Sequence, residues 1–424
     1  MTLLDEVGGD LLGAPTDLLV PELRRGQDWQ AIALEDAARV DERSAVATVV
    51  LSDGRRMFVP LVKDERPPLA DTGHPPTRWR RAEAEDGVSL RLLDAAEPLH
   101  VQLLGRLPES EGSRERPLLV DMSNDVRVVD DAVVVKWQLL AEAGSLAGPR
   151  MVEHLVRGGF DEMPPPLAVV TWNGNLLASF TGYLPGAQDG WDWMLADVAA
   201  HLRDDGQSPL WPALLGRLTA RLHIAAARPS PVIPRPVTRA PLTALALHYR
   251  SLLTRIGRLD SELRDALRPQ IPRFEDACEV LEEARHTEVI PLHGDLHAGQ
   301  FLRWSGGVAI GDFDGNPLLP AAERGDPGPT AHDVAGLLRS LDHVAIAAAR
   351  HLDDPEALAK SRAWARRARE EALIAYLDVD GVPPLDERIL HALESLSPLH
   401  EAVYAAEYLP RWRYVPLTVL RGEW

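Results

Sequence analysis

The segment spanning residues 290–317, IPLHGDLHAGQFLRWSGGVAIGDFDGNP, constrains this chain more than any other. It sets two histidines, three aspartates and a glutamine in short loops between apolar pieces. His293-Gly294-Asp295-Leu296-His297-Ala298-Gly299-Gln300 leads into Phe301-Leu302, and a turn at Gly306-Gly307 leads into Val308-Ala309-Ile310, which reads as a buried strand. Asp312-Phe313-Asp314-Gly315 follows. A hairpin of this kind brings Asp295, Gln300 and Asp312 to neighbouring strand ends. Two carboxylates and an amide oxygen are hard ligands, suited to a Mg²⁺ ion that keeps part of its water and takes phosphate. A carboxylate beside a metal-bound phosphate also accepts the proton of an attacking hydroxyl.

A chain of 424 residues exceeds one ordinary core, which favours about two or three domains. Apolar residues make up 45%, a globular proportion. The net charge of −19 argues against a nucleic-acid partner and against an anionic membrane surface. Cys278 is the one cysteine, so neither an intramolecular disulfide nor a cysteine zinc site is available, which fits a reducing cytoplasm. The opening MTLLDEVGGDLLG lacks the basic and apolar regions of a signal peptide, and no run approaches the ~18 apolar residues of a membrane span. The expectation is a cytoplasmic monomer whose partners are small molecules.

Arginine supplies nearly all the positive charge; the lysines are Lys63, Lys136 and Lys360. Lys136 lies inside the apolar run Val133-Val134-Val135-Lys136-Trp137. An ammonium in such a strand is costly unless a carboxylate or a phosphate holds it.

Residues 1–112 read as a mostly β cap: strands at 45–51, 57–62, 90–93 and 101–104, with a long loop over 65–86. Residues 113–186 read as a second β-rich unit. Its strands are 117–122, 126–129, 132–137, 167–172 and 176–183, with a helix at 150–157 and turns at Ser123-Asn124-Asp125, Asp130-Asp131 and Asn173-Gly174-Asn175. From 187 the pattern is helical. Leu242, Leu245, Tyr249, Leu252, Ile256, Leu259 and Leu263 alternate at spacings of three and four and predict one long helix, ended by Pro269. Helices are expected at 213–227, 274–285, 331–350, 355–377 and 385–408.

The pairing of His-Gly-Asp-Leu-His-x-x-Gln with Asp-Phe-Asp-Gly resembles the catalytic and metal loops of the aminoglycoside phosphotransferase-like kinases, relatives of the protein kinases. Gln300, standing where most of that superfamily has Asn, is similar to the pattern of maltokinases and maltokinase-like glucosamine kinases. The resemblance covers about residues 117–424, and it implies an α+β, protein-kinase-like bilobal fold with an additional β cap. It implies ATP as co-substrate and Mg²⁺ as cofactor.

On this resemblance Asp295 is the catalytic base, Gln300 and Asp312 hold Mg²⁺, Lys136 contacts the ATP phosphates, and Glu153 is the carboxylate partner of Lys136; Glu153 also reads as an ordinary solvated helix residue. Ser123-Asn124 stands where these kinases cover the phosphates, and equally where any hairpin turns. The adenine hinge is expected between Thr181 and Tyr183. His293 is expected to be structural, since no H-E-x-x-H pattern is present, and His297 to lie near metal or substrate. Asp333 reads as an N-cap and, on the resemblance, as a brace for the catalytic loop.

The acceptor is expected between the catalytic loop and the C-terminal helices. Asp295, His297, Asp314, Asn316, Tyr404, Glu407, Tyr408 and Trp412 are its candidate contacts. Asp189, Trp191 and Trp193 are expected at the cleft rim. The terminal aromatics also read as ordinary core packing. The ending Asp-Phe-Asp-Gly-Asn-Pro resembles the glucosamine kinases and implies phosphorylation of the 6-hydroxyl of glucosamine. The competing readings are a maltokinase, an aminoglycoside phosphotransferase and a non-catalytic binding module.

Overall fold

The computed structural model describes residues 3–11, 31–63, 79–109, 114–118, 124–142, 144–204, 208–316, 318–352 and 355–424. Its contacts gather in two units, Met1–Pro149 with Pro164–Pro185, and Arg150–Met163 with Gly186–Trp424. The α+β class expected from the sequence is the one observed. Among the described residues no helix is long and apolar enough to cross a membrane.

The first unit begins with α1 (Leu3–Leu11) and an antiparallel sheet, β1 (Ala31–Arg39), β2 (Ser44–Leu51), β3 (Arg56–Lys63) and β4 (Trp79–Arg81), in that order. The expected strand at 90–93 is instead α2 (Val88–Arg91) followed by a 3₁₀ turn over Leu92–Asp94. Val88, Ser89 and Leu92 are the buried positions, a helical spacing, and the Arg91 guanidinium donates to the Asp86 carbonyl at 2.6 Å across the turn.

A second sheet follows. Its strands are β5 (Leu99–Leu103), β6 (Glu115–Pro117), β7 (Asp125–Val129), β8 (Val133–Trp137), β9 (Pro166–Trp172) and β10 (Asn175–Gly182), in the order β5-β9-β10-β8-β7-β6. The boundary expected at residue 112 therefore falls between two strands of one sheet, because the apolar face of β5 finds its partner in β9. The turn expected at Asp130-Asp131 carries φ of 49° at both residues, the left-handed pair that a two-residue hairpin requires. The predicted strand over 117–122 lies largely outside the described residues. On β8, Val133, Val135 and Trp137 face the core and Lys136 faces the other way.

The second unit packs α3 (Ala147–Gly158), whose first turn belongs to the first unit, with α4 (Gly190–Asp204), α5 (Trp211–Ala226), α6 (Thr243–Arg255), α7 (Ser261–Leu267), α8 (Ile271–Glu283), α9 (Ala331–Leu352), α10 (Pro355–Leu377), α11 (Glu387–Glu407) and α12 (Tyr414–Leu420). The predicted long helix is broken. A 3₁₀ turn over Ile256–Arg258 ends α6, Leu259 is extended, and Asp260 caps α7 by accepting the N–H groups of Glu262 and Leu263. The apolar seam stays largely buried through the bend, so the periodicity reported burial correctly and continuity wrongly. Pro269 sits in a 3₁₀ turn that leads from α7 into α8. Short strands β11 (Thr238–Ala240) and β12 (Thr287–Val289) pair, as do β13 (Phe301–Trp304) and β14 (Gly307–Ile310), the hairpin expected from the sequence.

Candidate active site

The loop over residues 293–300 leaves β12 and enters β13, and it is held from below. Asp333, in the first turn of α9, is fully buried, and its carboxylate accepts the N–H groups of His293 and Gly294, each at 2.9 Å. His223 of α5 stands 3.2 Å from the same carboxylate. Burial alone would raise the Asp333 pKa; hydrogen bonds from His223 and His332 hold it well below the usual carboxylate range. The carboxylate serves the loop from inside α9, so it is not the cap of that helix.

Gly294 adopts φ of +80°, a conformation that glycine takes without strain, immediately before Asp295. His293 is buried, donates from Nε2 to the Gly311 carbonyl at 2.9 Å and accepts the Asp295 N–H on Nδ1 at 3.3 Å. It ties the loop to the far end of the hairpin. The Gly311 N–H donates to the Gln300 carbonyl at 2.8 Å, so side chains 300 and 312 leave from adjoining backbone. Asp312 is exposed, with φ of 56°.

His297 lies between these groups. Its Nδ1 accepts the Gly299 N–H at 3.1 Å, which leaves the ring proton on Nε2. His297 Nε2 faces the Gln300 amide nitrogen at 3.1 Å, with an Asp295 oxygen at 3.8 Å. A donor there requires the amide oxygen of Gln300 to face it, and the second lone pair of that oxygen remains for a cation. Among the described residues no three His, Cys, Asp or Glu side chains converge as a metal cage. An amide oxygen and one carboxylate at a loop junction suit instead a Mg²⁺ ion completed by water and phosphate.

A small pocket beside Asp295 is lined by Tyr249, Asn316, His332, Arg339, Ser397 and His400, among others. Asn316 is buried and accepts the Leu318 N–H on Oδ1 at 2.9 Å. Arg339 and His343, four apart on α9, both pair with the buried Glu401 of α11, at 3.1 and 2.8 Å. Sequence reasoning passed over Arg339, His343, His400 and Glu401. The available signal was an arginine and a histidine at i and i+4 on a helix otherwise rich in alanine.

Of the C-terminal candidates, Tyr404 stacks between His400 and Tyr408, with centroids 6.4 and 5.3 Å away. Burial, and then the charge of Asp295, push its pKa up. Glu407 pairs with Arg255 at 3.3 Å on the surface, and Tyr408 is 55% exposed. Trp412 meets Trp191 edge-on at 4.4 Å. Trp193 is buried and donates to the Phe301 carbonyl at 3.0 Å, while Asp189 is exposed and accepts the Trp191 N–H at 2.8 Å. Asp314 is half-buried, two residues beyond Asp312.

The nucleotide candidates divide between the units. Lys136 on β8 is in register with Val126 and Ser179. Thr181 and Tyr183 stand at the end of β10, and Tyr183 donates its N–H to Ala132 at 2.9 Å. Glu153 is on α3, in the second unit, with Arg157 at 3.9 Å. Asn124 precedes β7, and Ser123 lies outside the described residues.

No protein-family model matches the sequence. The chain is 35% identical to the glucosamine kinase of Streptacidiphilus jiangxiensis, an alignment covering 96% of this chain and 95% of that one. It is 36% identical to the glucosamine kinase of Mycolicibacterium smegmatis (strain ATCC 700084 / mc(2)155), over 86% of this chain and 94% of the relative. A glucosamine kinase solved in complex with glucosamine, ADP and inorganic phosphate superposes with a TM-score of 0.75 at 32% identity, covering 100% of this chain and 99% of the other. A further crystal form of a glucosamine kinase gives 0.79 at 32% identity, covering 99% and 97%. Fold and loop together have the form of a phosphotransferase of small molecules. The chain belongs to the glucosamine kinase family.

Proposed function

We infer that this protein phosphorylates glucosamine, using ATP as donor. One observation carries the reading: the 293–300 loop is locked to Gly311, which sets Asp295, Gln300 and Asp312 around one hairpin end, in a chain related over nearly its whole length to glucosamine kinases.

The 6-hydroxyl of the sugar attacks the γ-phosphorus. An O–P bond forms as the bond to the β-phosphate oxygen breaks, and ADP leaves. Asp295 orients the hydroxyl and takes its proton. Gln300 and Asp312 would hold Mg²⁺, which would neutralise charge on the nucleotide phosphates. Lys136 contacts the phosphates. The hinge at Thr181–Tyr183 takes the base. Asp314, Asn316, His297 and Tyr404 face the sugar, with Tyr408 and Trp412 at its outer edge. Glu407 is set aside, because Arg255 engages it on the surface. The protein acts as a cytoplasmic monomer without nucleic-acid or membrane partners.

The test is a coupled ADP-release assay on glucosamine, glucose, N-acetylglucosamine and maltose, run with and without Mg²⁺ and beside Asp295→Asn. Glucosamine should give the highest kcat/KM. Equal or better turnover of maltose, or an unchanged rate in Asp295→Asn, refutes the reading.

A further inference from the structure

Lys136 is the next-to-last residue of β8, and residues numbered below 90 hold that strand just beyond it. The Trp137 indole donates its N–H to Ser89 Oγ of α2 at 2.9 Å. The Ser89 hydroxyl donates in turn to Glu115 at 2.7 Å, and Arg127 donates to the same carboxylate at 2.8 Å. The Arg127 guanidinium stands 5.8 Å from the Trp137 ring centre, within cation–π reach, so the four side chains close on themselves. All four are buried.

The backbone makes a second hold. Gln138 still donates its N–H to the Leu177 carbonyl of β10 at 2.9 Å, but the chain then leaves the six-stranded sheet for the other one. Phe58 of β3 donates its N–H to the Leu139 carbonyl at 2.8 Å, and the Ala141 N–H donates to the Arg56 carbonyl at 3.0 Å. Met57 and Leu140 form an antiparallel bridge between them.

Both holds act at one end of the β7–β8 hairpin. Its turn is at Asp130-Asp131; at the open end Asp125 faces Trp137, and on the next rung Val126 faces Lys136. Arg127 grips Asp125 at 2.7 Å while Ser89 grips Trp137, so one buried group ties both strands beside Lys136. The Ser89 hydroxyl accepts once and donates once. Without it the indole N–H has no acceptor in a place shut off from water, and that is costly. Successive side chains of a strand point to opposite faces. A tilt of β8 that let the indole seek another acceptor would therefore swing the Lys136 ammonium as well.

We propose that Ser89 is a positioning residue for Lys136. The N-terminal segment sets where the ammonium meets the nucleotide, through the serine on one side of β8 and through β3 on the stretch that follows. This rests on the reading of Lys136 as a contact to the nucleotide phosphates.

The test is calorimetric titration of the full chain with ADP in the presence of Mg²⁺, on wild type, Ser89→Ala, Lys136→Met and the double variant. Ser89→Ala should weaken ADP binding about tenfold, the scale of one buried donor left without its acceptor, with KM for glucosamine within about twofold of wild type. Lys136→Met should also weaken ADP binding. Adding Ser89→Ala to it should then change the affinity less than about twofold, because the serine acts through the lysine. Undiminished affinity in Ser89→Ala overturns the proposal, and so does an equal loss with and without the lysine, which is what a merely structural serine gives. Wild-type affinity in Lys136→Met removes the lysine from the phosphates, and the proposal with it. Trp137→Phe deletes the same hydrogen bond from its other side and is read identically if Ser89→Ala does not fold.

Discussion

Arg127 and Glu115 form an ion pair at 2.8 Å between neighbouring strands, with side chains 2% and 1% exposed. Asp125 takes a second guanidinium nitrogen at 2.7 Å, and the Ala82 and Glu83 carbonyls accept the rest of the fork. Ser89 donates to Glu115 at 2.7 Å and accepts from the Trp137 indole at 2.9 Å. Burial opposes the Arg127 charge, and Asp125 and Glu115 more than restore it, so its pKa is raised. A pair of this kind adds little over a matched apolar pair, but breaking it strands a charge. Asp125 still faces Arg127 in Glu115→Gln, so that change should destabilise the first unit by about 1–3 kcal/mol. Denaturant unfolding followed by Trp fluorescence measures it, and a loss below about 1 kcal/mol contradicts the geometry.

The catalytic loop is gripped by two glycines. A Cβ on Gly190 would stand 1.9 Å from the Ala298 carbonyl oxygen, and one on Gly336 would stand 2.4 Å from that of Leu296. Neither backbone oxygen can move without moving the loop. Gly190→Ala and Gly336→Ala should each cost about 1–3 kcal/mol in stability. Each should also lower kcat more than it alters KM for ATP. Kinetics at wild-type levels in both variants would show that the loop tolerates displacement.

His248 titrates against the fold. Its buried Nε2 has no hydrogen-bond partner among the described residues. Burial first, then His332 and Arg255, push its pKa down to about 4 from an ordinary 6.5. His400, whose ring lies 6.2 Å away, is lowered in the same direction. Between these two values the unfolded chain binds a proton that the folded chain refuses. Stability is therefore full above pH 6.5 and falls as pH drops toward 4. Unfolding curves at several pH values should show that slope, and His248→Phe should flatten it. A slope that persists unchanged in the variant assigns it elsewhere.

The two C-terminal candidates separate cleanly. Tyr404 feels the charge of Asp295, whereas Glu407 is spent on Arg255 at the surface. Tyr404→Ala should raise KM for glucosamine about tenfold or more, the scale of a lost aromatic contact. Glu407→Gln should leave that KM within about twofold, since an exposed pair is worth little. The reverse order in steady-state kinetics would return Glu407 to the sugar.

What was legible in the sequence was local. The hairpin at 301–310, the Asp130-Asp131 turn and the double motif are each set by neighbours a few residues apart. The long helix was misread because periodicity records which side chains are buried, while Gly257 and the Asp260 cap decide where the backbone bends. Residues 90–93 were misread because so short an apolar run fits either period. The partners of Asp333 were invisible for another reason. His223 lies 110 positions before it and forms its second bond with a tyrosine 153 positions on, a relation no spacing rule records.

The six-stranded sheet has a consequence for how this chain can be cut. Both of its outer strands, β5 and β6, come from residues that precede the β7–β8 hairpin. Trimming the protein to begin at residue 113, as a minimal catalytic fragment, would strip β5 from β9 and leave five residues of ladder unpaired along Ala168–Trp172. An open edge of that length, rich in valine, is a template for other chains. The N-terminal segment is thus not a detachable accessory: it supplies the strand that covers the valine-rich edge of β9.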